Sequence, residues 1–154
     1  MSLAQRAVDR VRFRRPVVER ISFRGHPMVR ATHRTTFEVT TDEHLTPDGD
    51  CIIGVGADRG CAQLGEAMKE ALRSDRGKVR LTLTVGVETF VAEARGDPGL
   101  DLSHPHDMVI RKSGFLSDRT LAVGASAAAR DIPRSMVAGL RSSGAVGTLL
   151  VEVE

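Results

Sequence analysis

Two ten-residue stretches decide the fold: RGHPMVRATH at residues 24–33 and RGDPGLDLSH at residues 95–104. They carry Arg, Gly, Pro and His at the same places, with a constant offset of 71 residues. Four matches in ten positions far exceed the roughly 0.6 expected from average residue usage. The two stretches therefore indicate that the chain contains the same unit twice.

A second run of matches follows with the offset changed to 68. Asp50 matches Asp118, residues 55–57 match 123–125, and residues 72–74 match 140–142. Ten identities fall between positions 50 and 85, where roughly two are expected from composition. We expect an internal duplication with units 17–87 and 88–154. The two units should pack about a pseudo-twofold axis in one domain.

Each unit is predicted to run strand, loop, strand, turn, strand, helix, strand, and the first strands of the two units are expected at 17–24 and 88–95. The helices are expected over about 59–74, with Asp58 as N-cap, and from about Asp131. The third strands, at 51–55 and 120–123, are near-continuous apolar runs, which predicts strands central in their sheet. The fold class is α+β, either barrel-like or a mixed sheet with two helices packed on it.

The chain of 154 residues is 41% hydrophobic and 27% charged, enough for one globular core. No apolar run approaches the ~18 to 20 residues of a membrane span, and the first residues lack a secretory signal pattern. We therefore expect a soluble, cytoplasmic protein without a membrane partner. Cys51 and Cys61 are too few for a disulfide framework and are expected to be reduced core residues.

Residues 1–16 are predicted to be a basic extension outside the domain. Residues 1–24 hold seven Arg against two acidic residues, and such a segment can bind nucleic acid phosphates without sequence preference. A solvated leader is the alternative. Trp and Tyr are absent, which counts against base stacking on aromatic side chains. The arginines that would contact nucleic acid are Arg6, Arg10, Arg12, Arg14 and Arg15.

The pairs Thr32-His33 and Ser103-His104 are the candidates for a catalytic site. The duplication is expected to bring these two hydroxyl–imidazole pairs near the axis, where histidine can transfer protons close to neutral pH. The alternative is that each His holds its own loop through backbone hydrogen bonds while the hydroxyl forms a local turn. Both interpretations remain open on the sequence.

A metal site is a weaker alternative. His33, His104, His106 and Asp107 are ligand-type side chains, but their spacing matches no specific metal motif. The sequence indicates no particular cofactor.

Four basic residues are candidates for binding a small anionic or phosphorylated ligand. Arg24 and Arg95 each precede a Gly at a strand end and could clamp an anion, and Arg111-Lys112 makes the second unit the more basic side of a cleft. The Gly-containing segments 55–58 and 123–126 are expected to lead into the helices and to offer backbone amides to phosphate. The alternative is that their glycines allow strand and helix to approach closely.

Four segments carry a family resemblance: RGHP at 24–27, RATHRTT at 30–36, HLTPDGDCIIGVGAD at 44–58 and HPHDMVIRKS at 104–113. They resemble an archaeal domain-of-unknown-function family, number 371, over about residues 17–153. The resemblance implies an archaeal cytoplasmic protein, and it supplies no catalytic roles.

Three hypotheses for function follow. The first is a small-molecule enzyme or binding protein with its site between the two units. The second is nucleic-acid binding through the Arg-rich N-terminus. The third is a structural or assembly subunit. The few amide side chains and abundant charge are typical of a thermophile.

Overall fold

A computed structural model describes residues 16–74 and 77–154. The arginines predicted to bind nucleic acid from the N-terminal extension lie outside these residues. No helix in the described part of the chain is long and apolar enough to cross a bilayer. The elements, in chain order, are β1 (Val17–Arg24), β2 (Thr36–Thr40), β3 (Ile52–Gly54), α1 (Glu66–Leu72), β4 (Lys78–Val85), β5 (Glu88–Arg95), β6 (Asp107–Arg111), β7 (Thr120–Ala122), α2 (Arg134–Leu140) and β8 (Val146–Val153).

The eight strands form two four-stranded sheets, so the α+β class is confirmed. The first sheet has the order β1-β8-β4-β5 and is antiparallel throughout. The second has the order β3-β2-β6-β7, in which β2 and β6 are antiparallel and the outer strands run parallel to their neighbours. The second sheet is therefore mixed.

The barrel-like alternative is wrong, because within residues 16–74 and 77–154 isolated single-residue bridges, and not continuous strand pairing, join the ladders of the two sheets. The amide of Arg24 donates to the carbonyl of Val55 at 2.7 Å, and Val55 donates back at 2.9 Å. Arg95 and Val123 exchange the same two bonds at 2.9 and 3.0 Å. Directly after each bridge the chain turns at a glycine, at residues 56 and 124, with φ near +60°. The ladders therefore stop after one pair, and no closed barrel forms.

The expectation that the third strands are central in their sheet is wrong. In the structure, β3 and β7 lie at the two edges of the second sheet. They are nevertheless mostly buried, because the residue following each strand is bridged to the end of β1 or β5. The apolar runs at these strands therefore indicated that the residues are buried, but they did not indicate a central position in the sheet.

The first predicted helix is broken into two pieces. A 3-10 helix covers Cys61–Gln63, the next two residues are extended, and α1 begins only at Glu66. The Glu19 carboxylate, on β1, accepts a hydrogen bond from the amide of Gly65 at 2.7 Å. A distant strand therefore provides an acceptor for an amide at the start of α1. Asp58 is therefore not the N-cap. The second helix begins at Arg134, after a 3-10 turn at Ala129–Asp131 and the extended Pro133.

Both helices place their apolar stripes in one core with the apolar faces of the two sheets. α1 contacts β1 and β8, and α2 contacts β3 and β4. The apolar stripes expected from the sequence are Cys61, Leu64, Met68, Ala71 and Leu72 in the first segment and Ile132, Met136, Val137 and Leu140 in the second. All of these residues are buried except Ala71, which is half-buried. The helices are short and depend on this burial for stability.

The Arg-Gly pairs of the opening stretches lie where the chain touches the end of a helix from the other half. A Cβ on Gly25 would lie 2.3 Å from the carbonyl oxygen of Ser142, and one on Gly96 would lie 2.0 Å from that of Leu72. The next amides, of His26 and Asp97, donate to the carbonyls of Leu140 and Leu72. Only glycine fits at this close approach.

Replacing Gly25 by Ala is expected to lower the free energy of unfolding by about 3 kcal/mol, because the new methyl group meets two backbone carbonyls that cannot rotate away. The matched control is Gly139→Ala on the exposed side of α2, where the Cβ meets nothing closer than 3.6 Å. That change should be neutral or stabilise the protein by up to about 1 kcal/mol. Urea unfolding of both variants measures the difference, and equal stabilities would contradict this account of the Arg-Gly pair.

Candidate ligand-binding groove

An open groove of about 530 Å³ lies on the outer face of the second sheet, across β2 and β6. Both halves of the chain contribute to its walls. Its lining residues are His33, Thr35, Thr36, Glu38, Cys51, Val109, Arg111, Phe115, Ser117 and Arg119.

The alternation of side chains in β2 and β6 produces the polar floor of this groove. In β2, residues 37 and 39 are apolar and enter the core, so Thr36, Glu38 and Thr40 share the opposite face. The antiparallel register places these three residues opposite Arg111, Val109 and Asp107 in turn. Glu38 therefore lies at the centre of the strand pair, beside an apolar residue that offers it no hydrogen bond.

Glu38 is the electrostatic centre of the groove. The residue is 5% exposed, and burial, with the negative charge of Asp107, raises the pKa of its carboxyl to about 7. The positive charges of Arg119 and Arg111 oppose this shift. The guanidinium of Arg119 lies 3.9 Å from the Glu38 carboxylate. At neutral pH this carboxyl therefore exists in both protonation states.

Asp107 lies just beyond the groove lining, at the end of the strand pair where it is opposite Thr40. Its Oδ1 accepts a hydrogen bond from the Thr40 hydroxyl at 2.7 Å, and its Oδ2 lies 3.1 Å from the guanidinium of Arg119. The Nε2 atom of His104 lies 3.8 Å from the same Oδ2. Arg119 thus connects the carboxylates of Glu38 and Asp107.

Arg111 is fixed at the other end of the groove. Its Nε donates to the Thr120 hydroxyl at 2.9 Å, one terminal nitrogen donates to the Ser117 hydroxyl at 3.2 Å, and the guanidinium lies 5.0 Å from the centre of the Phe115 ring. Burial lowers the pKa of Arg111, yet an arginine stays charged at neutral pH. These bonds use two of its five N–H groups.

The predicted catalytic histidines each support their own loop. The Nδ1 of His33 accepts from the amides of Thr35 and Thr36, both at 3.2 Å, and the Nδ1 of His104 accepts from the amides of residues 106 and 107 at 3.1 and 2.8 Å. An accepting Nδ1 leaves the proton of the neutral ring on Nε2. His33 also lines the groove. Its ring is therefore suited to donate a hydrogen bond there.

The structure does not bring His33 and His104 together. Their loops reach opposite ends of the β2–β6 pair, one beside Arg111 and the other beside Thr40. These ends, at Thr36 and Thr40, are four positions apart along the strand, which corresponds to roughly 13 Å. The neighbouring Thr32 and Ser103 act through their backbone amides, which donate to the carbonyls of residues 50 and 118. No shared hydroxyl–imidazole site forms.

Arg24 and Arg95 likewise lie apart, at opposite edges and opposite ends of the first sheet. Each forms an ion pair with an acidic side chain, Arg24 with Glu43 and Arg95 with Asp97. They do not line the groove. Lys112 is also paired, with its Nζ 3.2 Å from the carboxylate of Asp131. Among the four predicted anion-binding residues, only Arg111 lies in the groove wall.

The expectation of a phosphate cradle at the Gly-containing segments is wrong, because their amides are already bonded. The amides of residues 56, 57 and 58 donate to the carbonyls of residues 42, 40 and 22. Those of residues 124, 125 and 126 donate to residues 113, 111 and 93. Both segments also lead into short 3-10 turns and not directly into helices.

Residues 16–74 and 77–154 contain no cluster of three or more His, Cys, Asp or Glu side chains that could hold a metal ion. Of the weak metal candidates, His104 and Asp107 are close, but the Nδ1 of His104 is occupied by two amides. The Nδ1 of His106 lies 2.7 Å from the Thr41 hydroxyl.

Glu38 and Arg119 were not among the site residues predicted from the sequence, and Cys51 was predicted to be a core residue. Cys51 is instead half-buried and lines the groove, whereas Cys61 is fully buried. Burial, with the charges of Glu38 and Asp50, raises the pKa of the Cys51 thiol to about 11. The available sequence signal was the glutamate in the middle of the alternating run TFEVT. Glutamate is depleted in strands, and this position is not next to a turn.

The described structure is thus a small α+β protein in which an open groove containing Arg111 and Arg119 lies over a buried carboxyl. A family model described as "Domain of unknown function (DUF371)" matches residues 21–154, so the chain belongs to this family and the resemblance seen in the sequence is confirmed. It is 43% identical over 123 residues to "Uncharacterized protein MJ0206" of the archaeon Methanocaldococcus jannaschii. That match covers 79% of this chain and 89% of the relative.

The raised pKa of Glu38 predicts a pH-dependent stability. Below pH 4.5 the carboxyl is protonated in the folded and the unfolded chain. Between pH 4.5 and about 7 the unfolded chain releases the proton while the folded chain retains it. The free energy of unfolding should therefore fall as the pH rises, by up to about 3 kcal/mol at pH 8.

Glu38→Gln should remove this fall, because its neutral amide mimics the protonated carboxyl, and urea unfolding between pH 5 and pH 8 tests it. The matched control is Glu93→Gln, at an exposed position of β5. It should keep the wild-type pH dependence. An unchanged slope in Glu38→Gln would refute the assignment.

Cys51 provides a chemical reporter of the groove. With a pKa of about 11, its thiolate fraction at pH 8 is small, so iodoacetamide should modify it at least about 100-fold more slowly than a free cysteine. Glu38→Gln should accelerate the reaction, because one of the charges that raise the pKa of Cys51 is removed. Peptide mass analysis distinguishes Cys51 from the buried Cys61. An equal rate in both proteins would mean that the Glu38 charge does not reach the thiol.

Proposed function

We propose that this protein binds a small anionic molecule in the groove and that Glu38 exchanges a proton as the anion binds or reacts. The observation that carries the proposal is the placement of one buried carboxyl beside two guanidinium groups on the floor of an open groove. The volume of the groove is within the range of small-molecule sites.

The charge balance of the floor favours an anion when Glu38 is protonated. Glu38 and Asp107 carry two negative charges, and Arg111 and Arg119 carry two positive ones. Protonation of Glu38 therefore leaves one positive charge in excess. Arginine donors fit carboxylate and phosphate oxygens bidentately, and the Nε2 of His33 adds a further donor at the rim. Anion binding and proton uptake by Glu38 should accordingly be coupled.

The same arrangement suits acid–base chemistry on the bound anion. A carboxyl with a pKa of about 7 is matched to both accepting and donating a proton at neutral pH. In an enzyme of this kind, Arg111 and Arg119 would hold the anionic group of the substrate while Glu38 moves the proton. Cys51, with its high pKa, would stay a neutral thiol in the wall and take no part as a nucleophile.

We also infer that the chain arose by internal duplication, with the groove at the junction of the two units. In support, the carbonyl of Asp50 accepts the amides of residues 32 and 33, and that of Asp118 accepts those of residues 103 and 104. Each histidine Nδ1 then accepts the amides two and three residues further on. The groove residues do not match in this way, since Glu38 corresponds to Val109.

Sulfate is the probe for the groove, because its charge is constant between pH 6 and pH 8. Wild-type protein should bind it about tenfold more weakly at pH 8 than at pH 6, as Glu38 loses its proton through a pKa of about 7. Isothermal titration calorimetry in buffers of different ionisation enthalpy should detect the proton uptake.

Three variants decide the assignment. Glu38→Gln should bind sulfate equally well at both pH values, and Arg119→Gln should lose about tenfold in affinity. Arg20→Gln, at an exposed site on the first sheet, should bind as the wild type does. No sulfate binding in the millimolar range, or binding that neither groove variant alters, would refute the proposal.

A further inference from the structure

A second basic surface lies outside the groove, where the loop before β2 contacts α2. It consists of Arg30, Arg130, Arg134 and Arg141, all exposed, and is called the arginine surface below. Backbone contacts bring its parts together: the amide of Arg130 donates to the carbonyl of His33 at 3.1 Å, and Arg134 donates to the carbonyl of Ala31 at 2.9 Å. Arg30, Arg134 and Arg141 also line a groove of about 400 Å³.

The arginine surface forms no close ion pair among the described residues, although the Ala128 hydrogen bond, the Lys112 contact and the charge of Arg130 together lower the pKa of Asp131. Within residues 16–74 and 77–154, none of its four guanidinium groups has a carboxylate oxygen within 4.0 Å. The nearby Asp131 is engaged with Lys112 and with the amide of Ala128. Other arginines are paired, as Arg59 is with Glu19. Four like charges in one area repel one another unless a negative partner covers them.

The fold does not require this concentration of charge. At the offsets of the proposed duplication, Arg30 corresponds to Asp101 and Arg134 corresponds to Glu66. The other half therefore builds the same loop and helix with acidic residues at two of these positions. The positive charge is a property of this surface and not of the arrangement of loop and helix.

We propose that the arginine surface binds the phosphate backbone of a nucleic acid. Arg134 directs its donors inward, to the carbonyls of residues 30, 31, 129, 130 and 132. It therefore contributes charge without gripping a single anion. The guanidiniums of Arg30 and Arg141 line the open groove, and Arg30 also donates to the carbonyl of Pro47 at 3.4 Å. Arg130 is exposed beside them but outside the groove lining. Separate cations of this kind suit phosphates spaced along a strand. The lining contains no aromatic side chain, which favours backbone contacts over base stacking.

The test is fluorescence anisotropy of the full chain with labelled 20-base-pair DNA and RNA duplexes and a 20-nucleotide single-stranded RNA, between 50 and 200 mM KCl. Arg130→Glu/Arg141→Glu should lose at least about tenfold in affinity at 100 mM KCl and flatten the log–log salt dependence by about two on duplex DNA. Arg20→Glu/Lys78→Glu changes the net charge equally at exposed sites of the first sheet. It should lose less than about threefold. Circular dichroism checks that both variants are folded.

Three outcomes would contradict nucleic-acid binding by the arginine surface. Absence of binding to all three probes at 50 mM KCl would refute the proposal, as would equal losses in the two double variants. A third refutation would be a chain lacking residues 1–15 that no longer binds, together with full binding by Arg130→Glu/Arg141→Glu. That result would assign nucleic-acid binding to the N-terminal arginines predicted from the sequence.

Discussion

The antiparallel pairing of β2 with β6 is the interaction on which the rest of the structure depends. It is the central pair of the second sheet and joins the two halves of the chain. Its register sends Phe37, Val39, Met108 and Ile110 into the core and leaves Thr36, Glu38, Thr40 and Asp107 on the opposite face. A shift by one residue would exchange these faces. The core and the groove are therefore fixed by the same register.

The two halves agree in backbone contacts and differ in the side chains of the groove. Both histidine loops, both Arg-Gly pairs and both bridges are formed by corresponding residues. In the groove, however, Glu38 corresponds to Val109, Thr40 to Arg111, and Cys51 to Arg119. The corresponding backbone contacts are formed in both halves, and the side chains that differ place one acid and two guanidiniums in the groove. This difference between backbone contacts and groove side chains explains why the repeated stretches at 24–33 and 95–104 contribute little to the groove.

Local patterns were sufficient to predict the long first-sheet strands but not every boundary. The bounds of β1 and β5 were predicted correctly, and the turn at Gly86 joins β4 to β5. The break before α1 was not predictable, because Glu19 satisfies the amide of Gly65 across 46 positions of sequence. The edge positions of β3 and β7 depend on bridges to distant strands. In the groove, Arg111 was predicted from the local charge of the sequence. Glu38 and Arg119 are far apart in the sequence, and the β2–β6 register and the loop before β7 bring them together, so their contact was not predictable.

The hairpin between the two halves has a consequence for the connectivity of the fold. Gly86 and the fully exposed Val87 form a two-residue link between β4 and β5. The first residue of β1, Val17, pairs with Val153 at the end of β8, so these positions lie only about 5 Å apart. A circularly permuted chain that starts at Glu88, ends at Val85 and joins Val153 to Val17 by a short linker would keep every strand beside its present neighbours. We therefore expect the two halves to form the same fold in either covalent order.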